Sequence, residues 1–333
     1  MRTHELAALG ARLGKDTHGV VSADELRAAK ADMTVLPRLL SGGDWTRLWR
    51  GMYLTAAHPP GQVVLSQAAI KHAALRHRDA RGAARPVVTG LAGARALGLR
   101  WVPDGQRVQV LVGPDVQRGS NEHVLVRRAA DLETVPTWNW GGLPVANAAR
   151  LVVDGARECR SLRDVRGLVL GAIADGQTAP DDVLALLHIG AVGGTAWARR
   201  AVRDAQRGAA SPPEAELADD LLGGGWPFYV NAEVWIDGAF VCVLDVYLVG
   251  TGVGGELDSR ERHEEPDALD DTLQRHDRAG RRGLALVHVT PNRYRADPAA
   301  FHARLFQAVA DRRRSGLGEP HGLVLRPRGL LLS

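Results

Sequence analysis

Val241-Cys242-Val243-Leu244-Asp245-Val246-Tyr247-Leu248, followed after Gly254-Gly255 by Glu256-Leu257-Asp258, is the stretch that decides the fold. The first eight residues read as a buried strand. A carboxylate set among them is costly unless a cation, a metal or hydrogen bonds receive it. In the next extended piece Glu256 and Asp258 alternate with Leu257, so on a strand they face one way. Upstream, Ser211 can cap a helix with Pro212 and Pro213 in its first turn. That helix carries Glu214 and stops at Gly223-Gly224-Gly225. A strand over 229–236 and the turn Asp237-Gly238 lead into the Asp245 strand, a hairpin signal. Downstream, the pattern predicts a helix over 270–279 with Arg275 and His276, a buried strand over 283–289 and a closing helix over 298–314.

A helix carboxylate, a strand Asp and a Glu-x-Asp pair make a layout for a divalent metal. Mg²⁺ is the expected ion, because it takes hard oxygen donors and often one or two carboxylates. One or two such ions generate hydroxide and stabilise the leaving oxygen in phosphodiester hydrolysis. The same residues admit a plainer reading, in which Asp245 is a hydrogen-bonded structural acid and the acids of 256–271 form a solvated face.

The other end of the chain has a different plan. Leu6, Leu9 and Leu13 mark one face of a helix over 3–14. Ser22-Ala23-Asp24-Glu25 has capping-box spacing, opening a second helix. Thr34 is expected to cap a third, over 35–41, with Pro37 in its first turn. Trp45-Thr46-Arg47-Leu48-Trp49-Arg50-Gly51-Met52-Tyr53-Leu54 reads as a hairpin turning at Arg50-Gly51. Three helices and a hairpin within about 55 residues form the plan of a winged helix-turn-helix, which places its third helix in the major groove. Arg38 on that helix, with Arg47 and Arg50 on the wing, are the expected DNA contacts. A small helical domain that binds no DNA fits the same pattern.

Composition sets the frame. The 333 residues are 45% hydrophobic and 24% charged, which excludes a disordered or collagen-like chain and predicts about two domains at roughly 100–200 residues each. No apolar run reaches the ~18 residues needed to span a bilayer. Met1–Leu6 lacks the apolar region of a signal peptide. Cys159 and Cys242 suggest neither a disulfide framework nor a zinc motif, so a reduced, cytoplasmic compartment is expected. Charge is divided unevenly. Residues 211–280 hold 16 acids and four arginines, and the rest of the chain is strongly basic. A basic front half suits a polyanionic partner such as nucleic acid, although only three of the 42 basic residues are lysine and a preference for arginine would give a similar count.

Two resemblances follow from these motifs. Gly19-Val20-Val21-Ser22 with its capped helix, and Trp45 to Leu54, resemble the winged-helix domain of AbiEi-type antitoxins, the regulator half of type IV toxin–antitoxin pairs. Gly142-Leu143-Pro144-Val145, with Ala149, Arg150, Val152 and Asp154, resembles a motif that follows this module. Ser211-Pro212-x-Glu214, Asp245, Glu256-Leu257-Asp258-Ser259-Arg260-x-x-His263 and Val287-His288-Val289-Thr290 resemble the restriction-endonuclease-like domain of very-short-patch-repair relatives, in the PD-(D/E)XK superfamily. The resemblance implies an α+β multi-domain chain: a winged helix-turn-helix over 1–58, an α+β middle domain over 59–157, a helical spacer over 158–210, and an α-β-β-β-α-β nuclease-like core over 211–333. It implies Glu214, Asp245 and Glu256 as metal-binding acids, with Asp258 at the place where the superfamily usually has Lys. Arg260, His263 and His276 are candidates for that lysine's work. It also implies double-stranded DNA and a cognate toxin as partners. The expected function is an antitoxin-like, DNA-binding transcriptional regulator with a degenerate nuclease-like domain. An active Mg²⁺-dependent endonuclease is the alternative, and an interaction protein that touches no nucleic acid the plainest option.

Overall fold

The computed structural model describes residues 2–56, 59–74, 85–105, 107–189, 193–257, 274 and 276–333. The chain is mixed α+β and divides into two compact units: Met1–Asp164 with Gln177–Thr195, and Val165–Gly176 with Ala196–Ser333. No helix is long and apolar enough to cross a membrane among the described residues.

The first unit begins with α1 (Thr3–Gly14), β1 (Val20–Ser22), α2 (Ala23–Ala28), α3 (Leu36–Ser41), β2 (Thr46–Trp49) and β3 (Met52–Leu54). The strands form an antiparallel sheet in the order β1-β3-β2. Leu6, Leu9, Leu26, Leu36, Leu39, Trp45 and Tyr53 share one core beneath the helices. The capping box forms: the Ser22 hydroxyl accepts the Glu25 N–H at 3.1 Å, and the Glu25 carboxylate accepts the Ser22 N–H at 2.8 Å. Lys71, buried on α4 (Gln62–Ala74), donates to the same carboxylate at 2.8 Å and to the Val20 carbonyl at 2.7 Å. Thr34, by contrast, does not cap α3. Its N–H and hydroxyl both donate to Asp32 Oδ1, at 3.0 and 2.6 Å. An aspartate two residues back offers the nearer acceptor, an Asx turn, and α3 starts after Val35.

A second sheet of this unit runs β6-β5-β4-β8-β7, built from β4 (Val87–Thr89), β5 (Val108–Val112), β6 (Val124–Arg128), β7 (Thr137–Trp140) and β8 (Leu143–Ala146). It packs with α5 (Gly90–Ala96) and α6 (Ala148–Ala156). The motif over 142–154 is therefore β8 followed by α6, whose N-cap Asn147 accepts the Arg150 N–H. Asp154, fully buried, accepts from Thr89 Oγ1 and Arg150 Nε at 2.9 Å each, and from Arg157 at 3.4 Å. The spacing Arg150-x-x-x-Asp154 puts the pair on one helix face.

The segment 158–210 is shared between the units. It contains α7 (Leu162–Ala174), α8 (Pro180–Ile189) and α9 (Ala196–Gln206). Residues of α8 fall in the first unit, those of α9 and most of α7 in the second. Arg166 of α7, almost fully buried, pairs with Asp204 of α9 at 2.8 Å and with Asp219 of α10 (Pro212–Leu221). These ion pairs bind the two preceding helices to the last segment of the chain.

The second unit has one five-stranded sheet in the order β12-β11-β10-β9-β13. Its strands are β9 (Phe228–Ile236), β10 (Ala239–Leu248), β11 (Val253–Leu257), β12 (Ala285–Val289) and β13 (Leu323–Pro327). Asp237 and Gly238 both have positive φ, 51° and 75°, as a two-residue type I′ hairpin requires. The β10–β11 pair is antiparallel and β11–β12 parallel. A helical turn over 276–281 lies between the last two. After β12 come α11 (Pro291–Ala296) and α12 (Pro298–Arg314). Phe301, Leu305 and Val309 of α12 join Leu217 and Leu221 of α10, Val246, Leu248 and Val253 in one core. Each fully buried side chain of this size contributes about 1.5–3 kcal/mol. A Cβ on Gly255 would come within 2.8 Å of Val246 and 2.9 Å of Phe301. Glycine lets the sheet and α12 approach there, one residue before Glu256.

Candidate functional site

The parallel pairing of β11 with β12 sets Glu256 directly opposite His288. Partners in register share a sheet face, so the two side chains meet. Glu256 is nearly fully buried, and its Oε2 lies 3.3 Å from His288 Nδ1 and 3.6 Å from His276 Nε2. His276 comes from the turn over 276–281, and its ring stacks on that of His288 with centroids 3.7 Å apart and planes at 25°. Both imidazoles are partly open to solvent, at 27% and 23%. One ligand atom from each of the three residues lies within 4.8 Å of the other two.

The acids expected as ligands are placed differently. Glu214, near the start of α10, accepts from the Ala210 N–H and the Ser211 hydroxyl at 2.7 Å each, and from the Asn231 amide of β9. It closes the helix N-terminus and ties it to the sheet. Asp245 stands half-buried on β10, and its Oδ2 accepts the Leu257 N–H at 2.6 Å. A side-chain acceptor thus holds the backbone of β11 next to Glu256. Of the expected metal acids, the three-residue group contains Glu256 and neither Glu214 nor Asp245. Asp258, Arg260 and His263 lie outside the described residues.

Mg²⁺ does not fit this donor set. It prefers all-oxygen, octahedral surroundings, and two of the three donors here are imidazole nitrogens. His288 was legible as a question, because a histidine inside the apolar strand Ala285–Val289 needs a partner as much as Asp245 does. Which partner it meets depends on the register of β11 with β12, which periodicity does not reveal.

At the other end of the chain, Arg38 is exposed on α3, Arg47 on β2 and Arg50 at the β2–β3 turn. None of the three makes an ion pair among the described residues, whereas Arg27 pairs with Asp24 at 2.7 Å. Elsewhere in this unit, burial first and the neighbouring Arg118 second hold the His72 imidazole below its ordinary pKa. Burial also pushes the Cys159 thiol up to about 12.

No family model and no curated protein matches the sequence. A solved structure, that of the RV2827C protein from Mycobacterium tuberculosis, aligns with 60% of this chain and 76% of its own at 17% identity, with a TM-score of 0.39.

Proposed function

We propose that the protein binds double-stranded DNA through residues 1–58 and acts as an antitoxin-like transcriptional regulator. The observation that carries this reading is the set of three exposed arginines, without acid partners among the described residues, on α3 and the β2–β3 hairpin. A helix, a strand, two helices and a hairpin precede any other fold element. That order suits a winged helix with α3 in the major groove and the wing along the backbone. Phosphate contacts of this kind position a protein, and base contacts from the helix give it a sequence to read.

The second unit supports the regulator over the Mg²⁺-dependent endonuclease. Its helix–strand–strand–strand–helix–strand order fits a nuclease-like core. Two of the acids such a core would offer to Mg²⁺, Glu214 and Asp245, instead accept hydrogen bonds from the chain itself. A cognate toxin is the partner that the antitoxin resemblance brings with it.

Salt dependence tests the reading. Log Kobs for duplex DNA should fall steeply with log[salt], by about 0.9 for each phosphate neutralised. Replacing Arg38, Arg47 and Arg50 together with alanine should lower the magnitude of that slope by about 3. Equal affinity and equal slope in the parent and the triple variant would remove the proposal.

A further inference from the structure

We infer that Glu256, His276 and His288 form a binding site for a single borderline divalent transition metal, with Zn²⁺ as the natural occupant. The proposal does not depend on DNA binding by the first unit. Three features carry it.

The first is spacing. Zinc bonds of about 2.0–2.1 Å at tetrahedral angles separate neighbouring ligand atoms by about 3.3–3.4 Å. Glu256 Oε2 stands 3.3 Å from one imidazole nitrogen and 3.6 Å from the other. All three ligand atoms lie within 4.8 Å of one another, and the stacked imidazoles turn to aim their in-plane lone pairs at a shared ion.

The second is donor chemistry. One carboxylate and two imidazoles suit zinc and the neighbouring first-row metals, while carboxylate and water suit magnesium. Three protein donors leave at least one coordination position for water or a phosphate oxygen, the form of an open zinc site. With neutral imidazoles, one carboxylate and a divalent ion, the centre carries a net charge of +1. It would therefore attract an anionic ligand within the most acidic stretch of the chain.

The third is support. Glu256 and His288 project from adjacent paired strands, a rigid base that a metal centre needs. Asp245 fixes the backbone immediately after Glu256 through the Leu257 N–H, so it is a positioning residue for the carboxylate. His276 comes from the turn over 276–281. Ala279 in the same turn is fully buried against the sheet core, which anchors the turn.

The experiment uses the full chain, freed of metal with a chelator and then dialysed to equilibrium against Zn²⁺, with Mg²⁺ in large excess as competitor. The account expects one tightly held Zn²⁺ per chain that Mg²⁺ does not displace. Affinity should fall about tenfold or more in His288→Ala, in His276→Gln and in Glu256→Gln. Because His288→Ala alters a residue within the sheet, His276→Gln, on the turn, serves as the variant that keeps the fold, checked by circular dichroism. Co²⁺ in place of Zn²⁺ should give visible absorption that weakens or shifts in His276→Gln. Failure of the folded parent to take up Zn²⁺, uptake unchanged in all three variants, or displacement by Mg²⁺ would each overturn the proposal. Loss of DNA binding in the triple arginine variant has no bearing on these readouts, so the two proposals fail separately.

Discussion

Asp154 in the first unit and Glu256 in the second are both buried carboxylates, at 0% and 3% exposure, yet their surroundings differ in kind. Asp154 is met by the guanidinium groups of Arg150 and Arg157 and the hydroxyl of Thr89. Those guanidinium groups keep their charge at any ordinary pH and offer only donors, so the cluster has one state and serves to lock α6 onto β4. Glu256 is met by two imidazoles. An imidazole can donate, accept or bind a metal, so this cluster can change state. Burial alone does not separate a structural carboxylate from a chemical one; the partner's range of states does.

The largest expected effect breaks the first half of this comparison. Asp154→Ala strands Arg150 without its main partner and should destabilise the protein by about 3–5 kcal/mol, read as a lower urea midpoint. A cost below about 1 kcal/mol would mean that solvent already reaches the pair. The second prediction concerns the other cluster. Zn²⁺ at about 100 times its dissociation constant should add about 2.7 kcal/mol to stability, and His276→Gln, with a tenfold or larger loss of affinity, should remove about half of that gain or more. Equal stabilisation of parent and variant would place the ion elsewhere.

Glu214 sharpens the contrast between acids that build and acids that bind. Glu214→Ala leaves the Ala210 N–H without its acceptor and the Asn231 amide with only the Gly208 carbonyl, and should cost about 1–2 kcal/mol, while Zn²⁺ affinity stays unchanged. A parallel loss of zinc binding would put Glu214 back among the ligands. The smallest effect belongs to His72, a buried histidine beside a cation rather than a carboxylate. Its folded pKa is depressed, so the unfolded chain binds more protons. Its contribution to stability is complete above the unfolded value of about 6.5 and is lost as pH falls from there towards the folded pKa. A pH titration of stability in His72→Gln should lack that acid-side decline; an identical profile would contradict the assignment.

Much of the fold was readable from local patterns. Asp237-Gly238 announced the β9–β10 hairpin, Ser22-x-x-Glu25 the start of α2, and Pro298 with the run to Arg314 the closing helix, because turn and cap chemistry is local. What escaped was set at a distance. β13 is an edge strand whose alternation is weak, with Val324 more than half exposed, so nothing in its sequence says that it joins β9. Thr137-Trp138-Asn139-Trp140 pairs with β8, a match fixed by the two positive-φ glycines, Gly141 and Gly142, between them. The candidate site was half legible for the same reason. Glu256 stood out by its alternation with Leu257 and Asp258. That it would meet His288, 32 positions on, followed only from parallel pairing across the intervening segment. Glu214 was expected as a ligand from the nuclease-like resemblance and Asp245 from its place in an apolar strand; the chain's own N–H groups supply hydrogen bonds to both.

X-ray absorption at the zinc edge on the Zn²⁺-loaded full chain tests the central claim most directly. The account predicts a shell of nitrogen and oxygen at about 2.0–2.1 Å, with the outer-shell scattering of two imidazoles that falls to one in His288→Gln. A spectrum with oxygen neighbours alone, or one identical in parent and variant, would contradict it.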